Sequence, residues 1–472
     1  MVFSSLTFIA FFLPIVILLY FVCKNKTWRN VILLIFSLVF YAWGEPIFVL
    51  MMIISILVNY VCGRMIEVCK HKAAKNTWMI IGVVLSLGFL FFFKYFAFLG
   101  NTIINLFNIQ VNAIPNQILP IGISFYTFQI LTYTIDVWRG KVPAQHSMIK
   151  LGLYISFFPQ LIAGPIVNYT YIEPYLDERT IHIKDFFEGI FRFFIGLGKK
   201  VLIANMCGEI LNMISLTGSI SVLGAWLGAI AFTLQIYFDF SGYSDMAIGM
   251  GHMFGFNFME NFNYPYTSTS VTDFWRRWHI SLSSFFRDYV YIPMGGNRCN
   301  AVRHIFNLLV VWMLTGFWHG ASWNFVVWGL YYGILLILEK YVWGRLIDKL
   351  PKIVGWIYTI FIVIIGWVFF YHESLKDGLA HIGAMFGKGV VGATDPVSIY
   401  AVKYYAIILI IAVLACVCWK LVFKKLVKKC KKNKTINTIF IVVKFVYGTA
   451  LFALCIISLA GSSFNPFLYF RF

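Results

Sequence analysis

The stretch T-G-F-W-H-G-A-S-W-N-F, residues 315–325, places one histidine, His319, between tryptophans and glycines inside a long apolar run. As one helix, the run from 305 to 340 would be roughly 54 Å long, against about 30 Å for the hydrocarbon core of a bilayer. It is too long for one membrane span and short for two full spans with a turn, and Gly316 and Gly320 flank the expected break. Irregular backbone at membrane depth must be buried in protein or line a wet space. We therefore predict a broken helix over 305–340, with His319 facing a cavity.

The composition of the whole chain indicates a membrane protein. Of its 472 residues, 60% are hydrophobic and 12% are charged, whereas soluble domains average about 25% charged residues. Apolar runs recur from end to end, so we predict an all-α polytopic protein of about 11–13 spans around a central cavity, with interfacial and broken helices among them. The other expected spans lie near 6–23, 30–43, 47–62, 78–98, 118–137, 150–167, 185–198, 201–217, 222–250, 353–371, 404–421 and 436–460.

This pattern predicts a single transmembrane domain over residues 1–472. Its four parts are N-terminal spans within 1–250, an interfacial amphipathic helix at 273–290, the broken-helix region at 305–340 and C-terminal spans within 353–472. The first apolar segment has no basic residues before it, so we expect a retained span rather than a removed signal peptide.

The net charge of +19 does not indicate nucleic acid, because the basic residues cluster in short loops, where they set orientation and contact anionic lipid. They follow alternate predicted spans, whereas the loops 100–117 and 205–221 hold no lysine or arginine. The basic residues are Lys24, Lys26, Arg29, Arg64, Lys70, Lys72, Lys75, Arg139, Lys141, Lys150, Lys199, Lys200 and the lysine run 420–434. This alternation predicts an extracytoplasmic N-terminus and a cytoplasmic lysine run.

Several kinds of site are poorly supported by the sequence. The nine cysteines are scattered, and the closest pair, Cys416 and Cys418, lies in an apolar run, so we expect neither a metal site nor a disulfide framework. No G-x-S-x-G, H-E-x-x-H or Walker motif occurs, which argues against a covalent serine enzyme and a metalloenzyme.

The segment 273–289, D-F-W-R-R-W-H-I-S-L-S-S-F-F-R-D-Y, has helical periodicity. One face is apolar and aromatic, and another is polar or charged. The first holds Phe274, Trp278, Leu282, Phe285 and Tyr289, and the second holds Arg277, Ser281, Ser284 and Asp288. We predict one amphipathic helix at the cytoplasmic interface with aromatic anchors. At its edge, His279 is compatible with an interfacial anchor or with a catalytic group.

Four arginines crowd the same region: Arg276, Arg277, Arg287 and Arg298. They fit ordinary contact with lipid headgroups. They also fit a phosphate clamp for a coenzyme, because the planar guanidinium matches phosphate oxygens. The loop 293–297, P-M-G-G-N, could bring backbone amides close to such a ligand, although a Gly-Gly pair is more often only a turn.

A polar cluster interrupts the apolar run 222–250. It consists of Asp239, Ser241, Tyr243, Ser244 and Asp245. Two carboxylates so close to the membrane core need partners, and the four arginines are candidates. The cluster could be a proton relay in a transporter or a set of structural struts, and we favour struts.

The functional interpretation of His319 is a general base. A neutral imidazole in a partly desolvated cavity can accept a proton from a hydroxyl group that attacks an acyl carbon. The Trp318 or Trp323 indole N–H or the Asn324 amide could stabilise the oxyanion that forms. The structural alternatives are a core histidine satisfied by one hydrogen bond and an interfacial residue in an aromatic belt, although ionisable residues inside membrane segments are usually functional.

Taken together, these segments resemble the membrane-bound O-acyltransferase family, in its bacterial alginate O-acetyltransferase-like branch. The resemblance covers essentially the whole chain. Its motifs are M-V-F-S-S (1–5), F-F-P-Q-L-I-A-G-P-I (157–166), Y-F-D-F-S-G-Y-S-D-M-A-I-G (237–249), R-R-W-H-I-S-L-S (276–283), F-R-D-Y-V-Y-I-P-M-G-G-N-R (286–298), G-F-W-H-G-A-S-W-N (316–324) and N-P-F-L-Y-F-R-F (465–472).

The resemblance implies a multi-helix enzyme of the bacterial cytoplasmic membrane in which His319 and His279 match the family's two histidines, the former being the catalytic one. It implies acetyl-CoA or another acyl thioester as donor, no permanently bound cofactor, and transfer through a tunnel to an exported polysaccharide. An extracytoplasmic protein often shares the last step. A sister branch transfers D-alanine to teichoic acid from a carrier-protein thioester. A proton-coupled transporter using Asp239 and Asp245 is the alternative from another class.

Overall fold

The computed structural model describes residues 1–162, 164–216, 220–419, 434–461 and 468. Every regular element assigned within these ranges is helical. Nine of the helices in this part of the chain are long and apolar enough to cross a membrane, and Phe8–Val22 is a shorter apolar helix. The prediction of an all-α polytopic membrane protein is therefore confirmed. The run 420–433 and most of 465–472 lie outside the described residues.

The chain divides into two compact units. The first comprises Met1–Ile190 and Met246–Met259, and the second comprises Phe191–Asp245 and Glu260–Phe472. The first unit contains eight helices, numbered α1 to α8 in chain order within the residues described. They are α1 (Phe8–Val22), α2 (Lys26–Gly44), α3 (Phe48–Val68), α4 (Lys72–Leu106), α5 (Ile123–Trp138), α6 (Met148–Ser156), α7 (Phe158–Leu161) and α8 (Tyr169–Asp177).

Polar side chains join the helices of the first unit. The Asn59 side chain of α3 donates to Ser86 Oγ of α4 at 2.9 Å and accepts from Thr134 Oγ1 of α5 at 2.7 Å. Gly82 lies against both Asn59 and Thr134, so the backbones approach closely at this point. Small residues and interhelical hydrogen bonds are the usual means of joining helices where lipid leaves little hydrophobic driving force.

The remaining helices follow in chain order, and the first two of them contribute to both units. They are α9 (Ile183–Gly198, Lys199–Ala204 and Asn205–Ser215), α10 (Val222–Met253), α11 (Val271–Arg277), α12 (Ile280–Phe286 and Arg287–Tyr291), α13 (Ala301–His319), α14 (Trp323–Ile347), α15 (Lys352–Tyr371), α16 (Leu375–Met385), α17 (Pro396–Ala415) and α18 (Lys434–Gly461), and a single 3-10 turn, Pro265–Thr267, precedes α11.

The α9 helix corrects the prediction of two spans at 185–198 and 201–217 with a basic loop between them. The chain stays helical through Lys199 and Lys200. Lys200 is buried and lies 2.7 Å from an Asp239 carboxylate oxygen of α10, and Lys199 lies 2.6 Å from Asp245. These lysines are ion-pair partners rather than loop residues, so they carry no information on orientation.

The α13 and α14 helices form the predicted broken helix, with each arm longer than expected. The arms have 19 and 25 residues, and both are long enough to cross a membrane. The break follows His319, and Gly320 has extended backbone. Gly316 does not break the helix: a Cβ there would lie 2.2 Å from the Phe325 carbonyl oxygen, so it permits close contact between the arms. Gly329 has the same role in α14, opposite the Trp312 carbonyl.

We predict that Gly329→Ala destabilises the protein. The new methyl group would lie 2.3 Å from the Trp312 carbonyl oxygen, and overpacking of this kind costs about 1–3 kcal/mol. Thermal unfolding in detergent should show a lowered midpoint. Gly88→Ala is the matched control, because a Cβ there meets nothing within 4 Å and alanine favours the helix. Equal unfolding midpoints for Gly329→Ala and Gly88→Ala would contradict the close backbone contact between α13 and α14.

Candidate functional site

His319 lies at the end of α13 inside an aromatic cage. Its side chain is 6% exposed. The ring centroids of Trp318, Trp328 and Phe370 lie 4.8, 5.1 and 5.1 Å from that of the imidazole, all in edge-to-face geometry. Aromatic pairs favour this arrangement, which restricts the ring's orientation. Gly320 completes the turn, because a Cβ there would overlap the Phe325 ring.

His279 lies between α11 and α12 in a left-handed backbone conformation, with φ +45° and ψ +54°. This conformation is unfavourable for a residue with a Cβ, by about 1–2 kcal/mol. Such residues cluster at functional sites, where surrounding contacts hold them. Here the Ile280 amide donates to the Asn261 carbonyl at 3.0 Å and the Asn263 amide donates to the Arg277 carbonyl at 2.9 Å.

The Asn261 side chain determines the tautomer of His279. Its Oδ1 accepts from the Ser281 amide at 3.2 Å and from the Ser281 hydroxyl at 2.9 Å, and it lies 3.2 Å from His279 Nδ1. A carboxamide oxygen only accepts, so the proton is on Nδ1 and the lone pair is on Nε2. Burial lowers the pKa of His279 to about 3, so the ring is neutral at physiological pH.

Trp318 brings the two histidines together. Its ring centroid lies 5.8 Å from that of His279 and 4.8 Å from that of His319. The Phe240 ring also packs edge-to-face against His279, with the ring centroids 4.7 Å apart. Two imidazoles from separate parts of the second unit therefore share one buried aromatic neighbour, as expected for two groups of one site.

The segment 273–289 departs from the predicted single amphipathic helix. The helix ends at Arg277 and restarts at Ile280, because Trp278 has extended backbone and His279 has left-handed backbone, and neither conformation continues a right-handed helix. The predicted lipid anchors are mostly buried: Phe274, Trp278, Leu282 and Phe285 are each at most 4% exposed. Their rings pack within the second unit, for example Trp278 on Trp367 at 4.8 Å. The periodicity marked a protein-facing surface rather than a lipid-facing one.

Glu339 holds α11 in place, a role that the sequence reading missed. It is a buried carboxylate of α14 that accepts hydrogen bonds from the Val271 and Thr272 amides at 2.6 and 2.9 Å, and from the Thr272 hydroxyl at 2.7 Å. Carboxylates at a helix N-terminus satisfy its free amides. The available signal was a glutamate, followed by a lysine, at the end of an apolar run. Asn261 was missed as well, in an N-F-N-Y-P stretch that resembles an ordinary loop.

The predicted oxyanion donors differ in their surroundings. Trp318 is 3% exposed, whereas Trp323 is 56% exposed. The Asn324 amide donates to the carbonyl oxygens of Phe369 and His372, so its N–H groups are already used. Trp328 was not predicted: it is fully buried against His319, and its indole N–H has no hydrogen-bond partner among the residues the structure describes.

The four predicted donor-binding arginines are not equivalent. Arg277 pairs with Asp273 at 3.0 Å, and Arg287 pairs with Asp288 at 2.8 Å. Arg276 and Arg298 are exposed. The loop 293–297 does not present the expected free amides, because the Met294, Gly295 and Gly296 amides donate to carbonyl oxygens of residues 290–292. The Gly-Gly pair makes turns, with positive φ at both positions.

The two carboxylates in the polar cluster of α10 pair with cations other than the four predicted arginines. Asp245 pairs with Arg192 at 2.8 Å and with Lys199 at 2.6 Å, and Asp239 pairs with Lys200. Ser241, Tyr243 and Ser244 are buried beside them. The Leu468 amide also donates to Asp239, at 2.8 Å. The pairing is compatible with struts, which stay a prediction. Among the described residues, no group of three His, Cys, Asp or Glu side chains could hold a metal ion.

Comparison with known proteins identifies relatives of the chain. The model of the membrane-bound O-acyltransferase family matches residues 140–376. The chain is 43% identical over 394 residues to "Probable alginate O-acetylase AlgI" of Pseudomonas aeruginosa, covering 82% of this chain and 75% of that protein. It is 34% identical over 422 residues to "Peptidoglycan O-acetyltransferase" of Helicobacter pylori, covering 82% and 80%. It is 30% identical over 302 residues to "Teichoic acid D-alanyltransferase" of Bacillus subtilis, covering 60% and 73%.

We predict that His279 weakens the fold in acid. The unfolded ring, with a pKa of about 6.5, binds a proton that the buried ring, with a pKa of about 3, does not. Stability is therefore lost as pH falls below about 6.5, by about 2 kcal/mol at pH 5. His279→Asn, which tolerates the left-handed backbone, should flatten the pH dependence of thermal unfolding between pH 7 and 5. His71→Asn changes an exposed histidine and is the control. If the unfolding midpoint of His279→Asn falls with pH as steeply as that of the unmodified protein, the prediction is wrong.

Proposed function

Because the chain belongs to the membrane-bound O-acyltransferase family, we propose that this acyltransferase moves an acetyl group from a cytoplasmic thioester to a hydroxyl of an exported or cell-surface polysaccharide. The observation that carries the proposal is a buried histidine at a helix break, His319, joined through Trp318 to a second buried histidine, His279. The names of the relatives support acetyl transfer to a polymer: one is a probable alginate O-acetylase and another a peptidoglycan O-acetyltransferase.

In the proposed reaction, His319 is the general base. The acceptor hydroxyl oxygen attacks the thioester carbonyl carbon while the imidazole takes the hydroxyl proton. A carbon–oxygen bond forms, the carbon–sulfur bond breaks, and the proton passes to the leaving thiolate. The aromatic cage supports this role, since it excludes water and holds the ring in one orientation. His279, which also contacts Trp318, would orient a substrate group.

The donor in this proposal is acetyl-CoA, used as a substrate rather than as a bound cofactor. The exposed Arg276 and Arg298 are better placed to meet its phosphates than Arg277 and Arg287, whose charges are offset by neighbouring aspartates. Phosphate recognition by a guanidinium depends on free N–H donors.

The proposed setting is the bacterial cytoplasmic membrane with an extracytoplasmic N-terminus. Basic residues such as Lys24 and Lys70 lie between α1 and α2 and between α3 and α4, whereas the connection after α4, residues 107–122, has no lysine or arginine. This alternation supports the orientation. The donor then arrives from the cytoplasm and the acceptor lies outside, with membrane lipids around the helices. A partner protein on the outer side would pass the acetyl group to the polymer.

Two other functions are less well supported. D-alanyl transfer to teichoic acid would follow from the Bacillus subtilis relative, but that match covers 60% of the chain at 30% identity, against 82% at 43% for the alginate O-acetylase. A proton-coupled transporter needs a carboxylate that gains and loses a proton, whereas Asp239 and Asp245 are paired with cations. Acetyl-CoA and a D-alanyl carrier protein, assayed side by side, distinguish the two enzymes, and solute flux without a thioester would favour a transporter.

We predict that His319→Ala removes acetyl transfer. Loss of a general base typically reduces the rate by about 10²–10⁴-fold. The measurement is release of thiol from acetyl-CoA in the presence of acceptor, with purified protein in lipid vesicles. The thermal unfolding midpoint shows whether the variant is folded. Full activity in a folded His319→Ala protein would refute the proposed role of this residue.

We also predict that the Trp328 indole N–H stabilises the developing oxyanion. Trp328→Phe keeps an aromatic ring against His319 and removes the donor, so kcat should fall about 10²-fold with little change in the KM for the donor. Trp43→Phe, at a position 66% exposed, is the control. An unchanged kcat in Trp328→Phe, or a rise in KM alone, would exclude this donor.

A further inference from the structure

A buried histidine that the proposed reaction does not use lies near the start of α13. His304 is 3% exposed. Its Nδ1 lies 2.8 Å from the Tyr341 hydroxyl, and its Nε2 lies 2.8 Å from the Tyr291 hydroxyl and 3.2 Å from Lys340 Nζ. An ammonium group only donates, so Nε2 accepts and the ring proton is on Nδ1. The neutral imidazole thus orders Lys340 and leaves its positive charge in place. A carboxylate in the same position would neutralise that charge.

Two arginines lie on the chain segments that adjoin this histidine. Arg303, one residue before it, donates through Nε to the Met294 carbonyl at 3.4 Å. The Asn307 side chain binds the same turn through the carbonyl oxygens of Met294 and Gly296, at 3.3 and 3.1 Å. Arg298 lies in this turn and is exposed.

The carboxylates near this cluster are already engaged. Glu339, the neighbour of Lys340, binds the amides at the start of α11. Asp288 pairs with Arg287. Within the described ranges, Lys340, Arg298 and Arg303 form no ion pair with a carboxylate. Three exposed cations thus lie on chain segments that are joined by the hydrogen bonds of His304, Arg303 and Asn307, and no carboxylate within the described ranges pairs with them.

From this surplus of positive charge we propose that Lys340, held by His304, forms a phosphate-binding site together with Arg303 at the start of α13 and Arg298 of the adjoining turn. Phosphate supplies several acceptor oxygens and the missing negative charge, and its contacts with cations are strong. The phosphate could come from a lipid headgroup or from a pantetheine thioester donor. The donor source rests on the proposed function. His304 and His319 lie about 22 Å apart along α13 at 1.5 Å per residue, so a phosphate bound here would be the distal end of a donor.

The donor source is tested with two thioesters that differ in one phosphate, S-acetyl-4′-phosphopantetheine and S-acetylpantetheine. Lys340→Gln should raise the KM for the phosphorylated donor about tenfold, the usual loss for a hydrogen bond to a charged group. Tyr291→Phe removes a contact of His304 and should raise the same KM by a smaller factor. The KM for the phosphate-free donor should stay the same. Lys340→Arg should retain tight binding, and Lys349→Gln, at a nearby exposed lysine, is the matched control. Equal effects on both thioesters would mean a structural role and overturn the assignment.

The lipid source is tested in the same protein without any thioester. Vesicles of phosphatidylglycerol should raise the unfolding midpoint above that in phosphatidylcholine, and Lys340→Gln should remove this increase while Lys349→Gln does not. If Lys340→Gln selectively weakens use of the phosphorylated donor, or removes the phosphatidylglycerol effect, the phosphate site is supported and the source of its phosphate is identified. If Lys340→Gln does neither, the proposal is overturned. If the unmodified protein transfers no acetyl group from acetyl-CoA itself, the proposed function fails, while the vesicle experiment still decides the site.

Discussion

A polar group removed from water destabilises the fold unless the protein supplies its hydrogen-bond partners, and several contacts between distant segments of the second unit meet this requirement. Leaving such a group unpaired costs about 1–3 kcal/mol, more if it is charged. The Asn261 carboxamide meets the requirement for the turn that carries His279. Glu339 accepts hydrogen bonds from the free amides at the start of α11, and Lys200 and Asp239 form an ion pair. Each of these contacts joins segments distant in sequence, so satisfying the polar groups also determines the tertiary arrangement.

The aromatic side chains supply the remainder of the site. Trp318 contacts both imidazoles, and Trp328 and Phe370 enclose His319. A dry, low-dielectric environment strengthens every charge interaction within it, and prepositioned donors avoid the cost of reorganisation during reaction. The crossing at Gly316 and Gly329 brings α13 and α14 into backbone contact, which holds the helix carrying Trp328 against the helix carrying His319.

The sequence predicted much of this arrangement, and its errors share one cause. The broken helix, the position of His319 at its end and the all-α membrane class all followed from lengths and apolar periodicity. The single interfacial helix over 273–289 was wrong, because periodicity indicates an apolar surface but not what covers it. The two lysines of α9 were taken for a loop, since adjacent cations are commonest in loops. Their carboxylate partners lie some 40 residues away, and no local pattern reveals such a pairing.

By itself the sequence determined that the chain crosses the membrane repeatedly and that its motifs are those of an acyltransferase, since hydropathy and motif spacing are local properties. Only the tertiary structure decided which polar groups meet. It showed that Asn261 orders His279, that Glu339 caps α11 and that Lys340 is bound by a neutral histidine rather than by a carboxylate. The physical reason is that a hydrogen bond or ion pair depends on distances of about 3 Å, and residues far apart in sequence reach such distances only when the chain is folded.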